Sequence, residues 1–218
     1  MAAGQKAKGK RSLILQLWCL AAGLLAVFLL SFVLGRYDVP IHQVLRILLN
    51  ELLAAVEWLL GKLGFSVSLS LSRTWTENMA IAVVNVRLPR ILLACMVGCA
   101  LSTAGAAYQG VFRNPMAAPD ILGASSGACF GAALAILLGR SGAEVTLSAF
   151  CFSLLTVGLV YLIGSRTQGS QVVNILLAGV MVSSLFSAGT SYLKLVADPS
   201  SQLPEITYWL MGSLSGAR

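Results

Sequence analysis

The sequence predicts an all-α fold, a polytopic transmembrane helical bundle, and three observations predict it. The 218 residues are 57% hydrophobic and only 11% charged, where ordinary soluble domains carry about a quarter charged residues. Charge is missing altogether from the stretches Ser12 to Gly35, Ile91 to Phe112, Ile121 to Gly139, Val145 to Ser165 and Thr167 to Leu193. Each meets or nearly meets the length of about 20 residues that a helix rising about 1.5 Å per residue needs to cross a hydrocarbon core roughly 30 Å thick. None alternates polar and apolar residues as a barrel strand would, and backbone amides in lipid must pair within their own segment, so these runs read as helices.

Taken in order, the chain opens with a basic tail, residues 1–12, in which Lys6, Lys8, Lys10 and Arg11 occur with no acidic residue. Cytoplasmic flanks retain Lys and Arg, so this end is expected inside. The first span, about 13–34, is longer than the apolar core of a signal peptide and lacks a convincing small-residue cleavage site. It reads as an uncleaved membrane helix. From Pro40 to Lys62, leucines and valines recur every three or four residues, interrupted by Arg46, Asn50, Glu51, Glu57 and Lys62. That pattern gives an amphipathic helix too charged to cross lipid and suited to the outer interface or to packing on its neighbours. Phe65 to Ser72 alternates apolar residues with Ser and is expected to be a short extended linker.

The second span, about 88–112, is expected to start before Arg87, because Asn78 to Val86 is also uncharged, with Pro89 near a helix start or a bend. The loop Arg113 to Asp120 holds Asn114, Pro115, Pro119 and Asp120 and is expected on the cytoplasmic side. Its two prolines stop one helix and delay the next, and Asp120 suits the positive end of the helix that follows. In the third span, about 121–139, Gly123, Gly127 and Gly131 recur every four residues among alanines and serines. The second span has a comparable stripe of Ala94, Gly98, Ser102 and Ala106, with Gly105 close by. Small residues at this spacing let helices approach closely in lipid, where apolar burial supplies no drive between them. The fourth and fifth spans, about 145–165 and 170–193, follow. Asn174, Ser183 and Ser187 in the fifth are candidates for lining a polar pathway, or for bonding back to their own helix. After the polar turn Asp198 to Ser201, Leu203 to Gly212 reads as a short outer helix with Pro204 in its first turn and Tyr208 and Trp209 at the interface. Residues 13–218 thus form one membrane domain.

Several function classes are disfavoured. The net charge of +7 is dispersed among loops of a hydrophobic chain and forms no solvated basic face for nucleic acid. The five cysteines all fall in predicted spans and read as small packing residues, and the one histidine, His42, lies in an outer segment, so neither a metal site nor a cofactor is expected. No Asp, Glu or His sits within a span to couple an ion, which argues against a secondary transporter, and no catalytic set for a membrane enzyme is present. No phosphate-cradling Gly-Lys-Ser/Thr loop occurs, so any nucleotide site belongs to a partner.

The run Arg87-Leu88-Pro89-Arg90, then Val97-Gly98-Cys99-Ala100-Leu101, Gly105, Gln109 to Ala117, Pro119 to Gly123 and Ser126-Gly127-Ala128, resembles the signature of the FecCD-type permease family, importers of iron-siderophore complexes, haem and cobalamin. Leu176 to Val180 and Tyr208 to Leu214 continue the resemblance in the same order. It covers most of the chain from Arg87 onward and implies the permease subunit of an ABC importer in the inner membrane. The implied partners are a second permease subunit, an ATP-binding cassette ATPase and a periplasmic substrate-binding protein. Arg87 and Arg90 become candidates for docking that binding protein, with lipid phosphate as the equal alternative. The fifth span resembles the family's pathway-lining helix, although Val172, Val173 and Asn174 stand where small hydroxyl and basic residues are usual. The family has about ten helices, with a coupling helix after the sixth span, so the chain is expected to be the N-terminal portion of such a permease. An iron chelate is the expected substrate.

Overall fold

The computed structural model describes residues 2–35, 37–62, 72–115 and 117–217, with residues 2–13 described by backbone alone. Helices follow one another as α1 (Ala2–Val33), α2 (Ile41–Lys62), α3 (Glu77–Phe112), α4 (Ala124–Leu137), α5 (Ala143–Arg166), α6 (Gln171–Val196) and α7 (Gln202–Met211). No strand occurs among the described residues. Most of the expected linker Phe65 to Ser72 lies outside them. Two compact units divide the chain, Met1–Met96 with Leu214–Arg218, and Val97–Ser213.

In the first unit, Phe32 at the end of α1, Val39, Val44 and Ile47 from the connection and α2, and Val83 from α3 are buried together. Only the N-terminal half of α2 joins this core. Leu52, Val56, Trp58 and Leu59 beyond it are exposed, and Lys62 places its ammonium 4.2 Å from the centre of the Trp58 ring. The helix the leucine spacing predicts is present, with its apolar stripe, Leu45, Leu49, Leu52, Val56 and Leu59, left exposed. In α3, Ile81–Arg87 is wound as a π-helix. Pro89 lacks an N–H and its ring would crowd the carbonyl four residues back, Asn85; the wider turn relieves that clash without ending the helix.

The second unit is built around α4. It packs on α5, α6 and α7, and Ala132, Ala133, Ala135 and Ile136 are buried against Val145, Ala149, Leu193 and Ile206. A second layer places the rings of Phe130, Phe152 and Phe186 edge to face or tilted, with Phe130 5.3 Å from Phe152 and 5.4 Å from Phe186. Their quadrupoles favour such offset geometry.

Four helical segments are long and apolar enough to cross a membrane: Ile14–Val33, Glu77–Phe112, Ala143–Arg166 and Gln171–Val196. The expected third span is shorter than its charge-free run. Its helix has 14 residues, a rise of about 21 Å. A 3-10 turn, Pro119–Leu122, precedes it, and Gly139 ends it at φ 71°. The chain needs those residues for the turns at either end of a buried helix.

Candidate functional site

Of the residues expected from the loop and the fifth span, Asp120, Ser183 and Ser187 meet in one place. A recess of about 510 Å³ is lined by Asp120 and Ile121 of the 3-10 turn, Ser126 of α4, and Val180, Ser183, Ser184 and Ser187 of α6. Residues 180, 183, 184 and 187 are three, four and seven apart, so they share one face of α6. Ser184 donates its proton to the Val180 carbonyl at 2.8 Å, the back-bonding common to serine in apolar helices. Asp120 is exposed and is the one charged residue of the lining. The wall therefore offers hydroxyl groups and small apolar surface, with a single carboxylate at one edge.

The recess exists because the 3-10 turn lies directly on α6. Its geometry turns on Gly123, which has φ 70°, caps both the turn and α4, and donates its N–H to the Asp120 carbonyl at 2.9 Å. A Cβ at Gly123 would strike the Ser183 hydroxyl, and one at Gly179 would strike the Ile121 carbonyl. Gly179 was not singled out as a site residue by sequence. Its signal was present in Leu176-Leu177-Ala178-Gly179-Val180, but a glycine within a motif does not say which backbone approaches it.

The glycine stripes divide sharply. Gly127 and Gly131 are buried where α4 meets α5: a Cβ at Gly127 would overlap the Thr156 hydroxyl, and one at Gly131 would lie 2.7 Å from the Ser148 carbonyl oxygen and 2.8 Å from Phe152 Cβ. Ser148 Oγ also donates to the Gly131 carbonyl at 2.7 Å. Gly98 has nothing within 4 Å, and Gly105 has only ordinary contact with the Pro119 ring at 3.9 Å. In the loop, Arg113 closes α3 at φ 50°, the left-handed residue that often follows a helix. The Asn114 carbonyl accepts the Ala117 N–H at 3.1 Å, and Pro115 is exposed. Pro119 takes the first position of the 3-10 turn.

Asn174 lies away from the recess. Its Nδ2 donates to the carbonyls of Thr167 at 2.9 Å and Gln168 at 3.4 Å, tying the end of α5 to the start of α6. Arg87 is half-buried rather than free. Its Nη1 donates to the Phe32 carbonyl and more distantly, at 3.4 Å, to that of Val33, while Nη2 donates to the Tyr37 carbonyl. The Phe32 and Val33 carbonyls are orphan acceptors at the C-terminus of α1, where a cation is also favoured by the helix dipole, and the Tyr37 carbonyl belongs to the connection that follows. Arg90 is exposed, with one long hydrogen bond from Nη2 to the Ser215 carbonyl at 3.3 Å.

No group of three or more His, Cys, Asp or Glu side chains capable of holding a metal occurs among the described residues. The architecture is a helical bundle with small-residue contacts and a hydroxyl-lined recess. Residues 23–218 of it match the FecCD transport family.

The chain belongs to that family.

Among its relatives, the molybdate import system permease protein MolB of Haemophilus influenzae is 35% identical over 77% of this chain and 52% of its own length. The cobalamin import system permease protein BtuC of Halobacterium salinarum is 34% identical over 92% of this chain and 59% of its own length. The hemin transport system permease protein HmuU of Yersinia pestis is 36% identical over 70% and 48%. A solved structure described as an inward-facing conformation of a metal-chelate type ABC transporter superposes with a TM-score of 0.60 at 34% identity, covering 79% of this chain and 54% of that one. This FecCD chain thus spans about half the length of the relatives it matches, and with its long apolar helices it is a multi-pass membrane protein.

Proposed function

We propose that this chain forms part of the permease of an ATP-driven importer in the inner membrane, and that the serine-lined recess is a segment of its transport pathway. The FecCD match over residues 23–218 carries the reading. The chemistry of the recess supports it: hydroxyls from α4 and α6 can exchange weak hydrogen bonds with a passing solute without holding it as a charged site would. The energy then comes from a partner ATPase, delivery from a substrate-binding protein, and the second wall of the pathway from a second permease subunit. The N-terminus faces the cytoplasm, as its basic tail favours.

The substrate proposed is a metal chelate of the iron-siderophore kind. Relatives carry the names of molybdate, cobalamin, iron chelatin and hemin systems, and the metal-chelate description of the solved structure supports the choice. The test is uptake by the full-length protein, reconstituted in vesicles with its ATPase and binding protein and offered a ferric siderophore, haem, cobalamin and molybdate in turn. ATP-dependent accumulation of the siderophore, reduced by Ser187→Trp, is the expected result. Uptake driven by an ion gradient without the ATPase would overturn the transport reading, and preference for another solute would overturn the substrate.

A further inference from the structure

A cavity of about 400 Å³ lies in the first unit, where the end of α1 faces the π-helical part of α3, lined in part by Leu34, Gly35, Tyr37, Val86, Arg87 and Arg90. Its depth is the first indication of what it holds. α1 ends at Val33, and Arg87 and Arg90 are the charges that interrupt the apolar course of α3 between Glu77 and Phe112, so the cavity sits where one apolar span ends and the other turns cationic, a level that suits lipid headgroups.

Charge is the second indication. Arg87 and Arg90 are three residues apart on one helical face, and neither forms an ion pair among the described residues, where the one such pair is Arg140 with Glu144. Arg87 is fixed by its carbonyl partners at the end of α1, and Gly35 makes room for it: a Cβ there would lie 3.0 Å from Arg87 Cζ. Exposed Arg90, with a single long bond to the Ser215 carbonyl, keeps most of its five donors for a ligand. A guanidinium with free donors matches the geometry of phosphate.

The third indication is the wall, where Leu34 is 73% and Val86 39% exposed beside the two cations. A free anion would gain nothing from that surface, whereas an acyl chain would cover it. We propose that the cavity seats an anionic membrane phospholipid, its phosphate paired with Arg90 and drawn by the fixed charge of Arg87, and its acyl chain against Leu34 and Val86.

The experiment uses the full chain purified in mild detergent, with phosphatidylglycerol or phosphatidylcholine added and retained lipid counted by native mass spectrometry. One phosphatidylglycerol should be retained in preference to phosphatidylcholine. Arg90→Gln should weaken retention about fivefold, the effect of one cation near a lipid surface, and Arg90→Lys should restore most of it. Inorganic phosphate should not compete. Arg90 is exposed, so its variants are expected to keep the wild-type helical content and melting temperature; Arg87→Gln, which uncaps α1, is not needed for the test. Equal retention by wild type and Arg90→Gln, or displacement of the lipid by inorganic phosphate, would overturn the proposal. So would an Arg90→Gln protein that keeps its lipid and loses only association with a substrate-binding protein, which would make the pair a protein-docking site.

Discussion

A methyl group added at Gly127 would overlap the Thr156 hydroxyl and come within 2.7 Å of the Phe152 carbonyl oxygen, whereas one added at Gly98 would meet nothing within 4 Å. Gly127→Ala is therefore expected to destabilise the protein by about 1–3 kcal/mol, the usual cost of overpacking. Gly98→Ala should be neutral or stabilising by up to about 1 kcal/mol through backbone entropy. Reversible unfolding of the two variants in mixed micelles measures the difference. Asp198 offers a second test at this scale. Its carboxylate accepts the Ser201 hydroxyl at 2.6 Å and the Ser201 N–H at 2.8 Å, and these bonds, the hydroxyl first, hold its pKa below the ordinary value of 3.8. A depressed folded-state pKa means that the stabilisation of this turn is fully present above the ordinary carboxylate range and lost as the pH falls through the lower, folded-state value. Asp198→Ala should loosen the start of α7 at neutral pH, and its difference from wild type should vanish in strong acid. A spin label at Ser200 would read both.

The helices themselves illustrate which features were legible. Each long apolar run became a helix, because a charge-free stretch of that length has few other ways to satisfy its backbone in lipid. The onset of α3 ahead of Arg87 was also visible, in the uncharged Asn78 to Val86. The π-helical turn was not, since a proline permits a kink, a helix start or a widened turn and the neighbours select among them. Nor was the brevity of α4, whose ends are set by Gly123 and Gly139 rather than by hydropathy. What holds α4 in place is partly aromatic. Phe130, Phe152 and Phe186 come from α4, α5 and α6, and Phe130 also covers Gly189 of α6, where a Cβ would lie 2.7 Å from its ring. Phe130→Ala should cost about 3–5 kcal/mol, and a double-mutant cycle with Phe152 should return a coupling of about 0.5–1.5 kcal/mol.

At the scale of the whole molecule, the prediction is topological. With the N-terminus inside, a single cysteine placed at Ser141, between α4 and α5, should react with an impermeant maleimide added outside intact cells, in a background lacking the native cysteines. One placed at Gln168, between α5 and α6, should react only after the membrane is opened. The reverse pattern would invert the proposed orientation and leave the helical assignments untouched. By itself the sequence determined the class of molecule, the positions of the long apolar helices, the uncharged character of those stretches and the resemblance to the FecCD family, because these depend on local composition and on motifs in linear order. The tertiary structure alone decided which glycines carry close packing, that Ser126 joins Ser183, Ser184 and Ser187 around one recess, and that Arg87 caps α1 while Arg90 stays exposed. Hydropathy and spacing describe a helix one face at a time. Close approach, a shared recess and the use of an arginine's donors each depend on a second segment distant in sequence, and only the packed chain brings that segment into place.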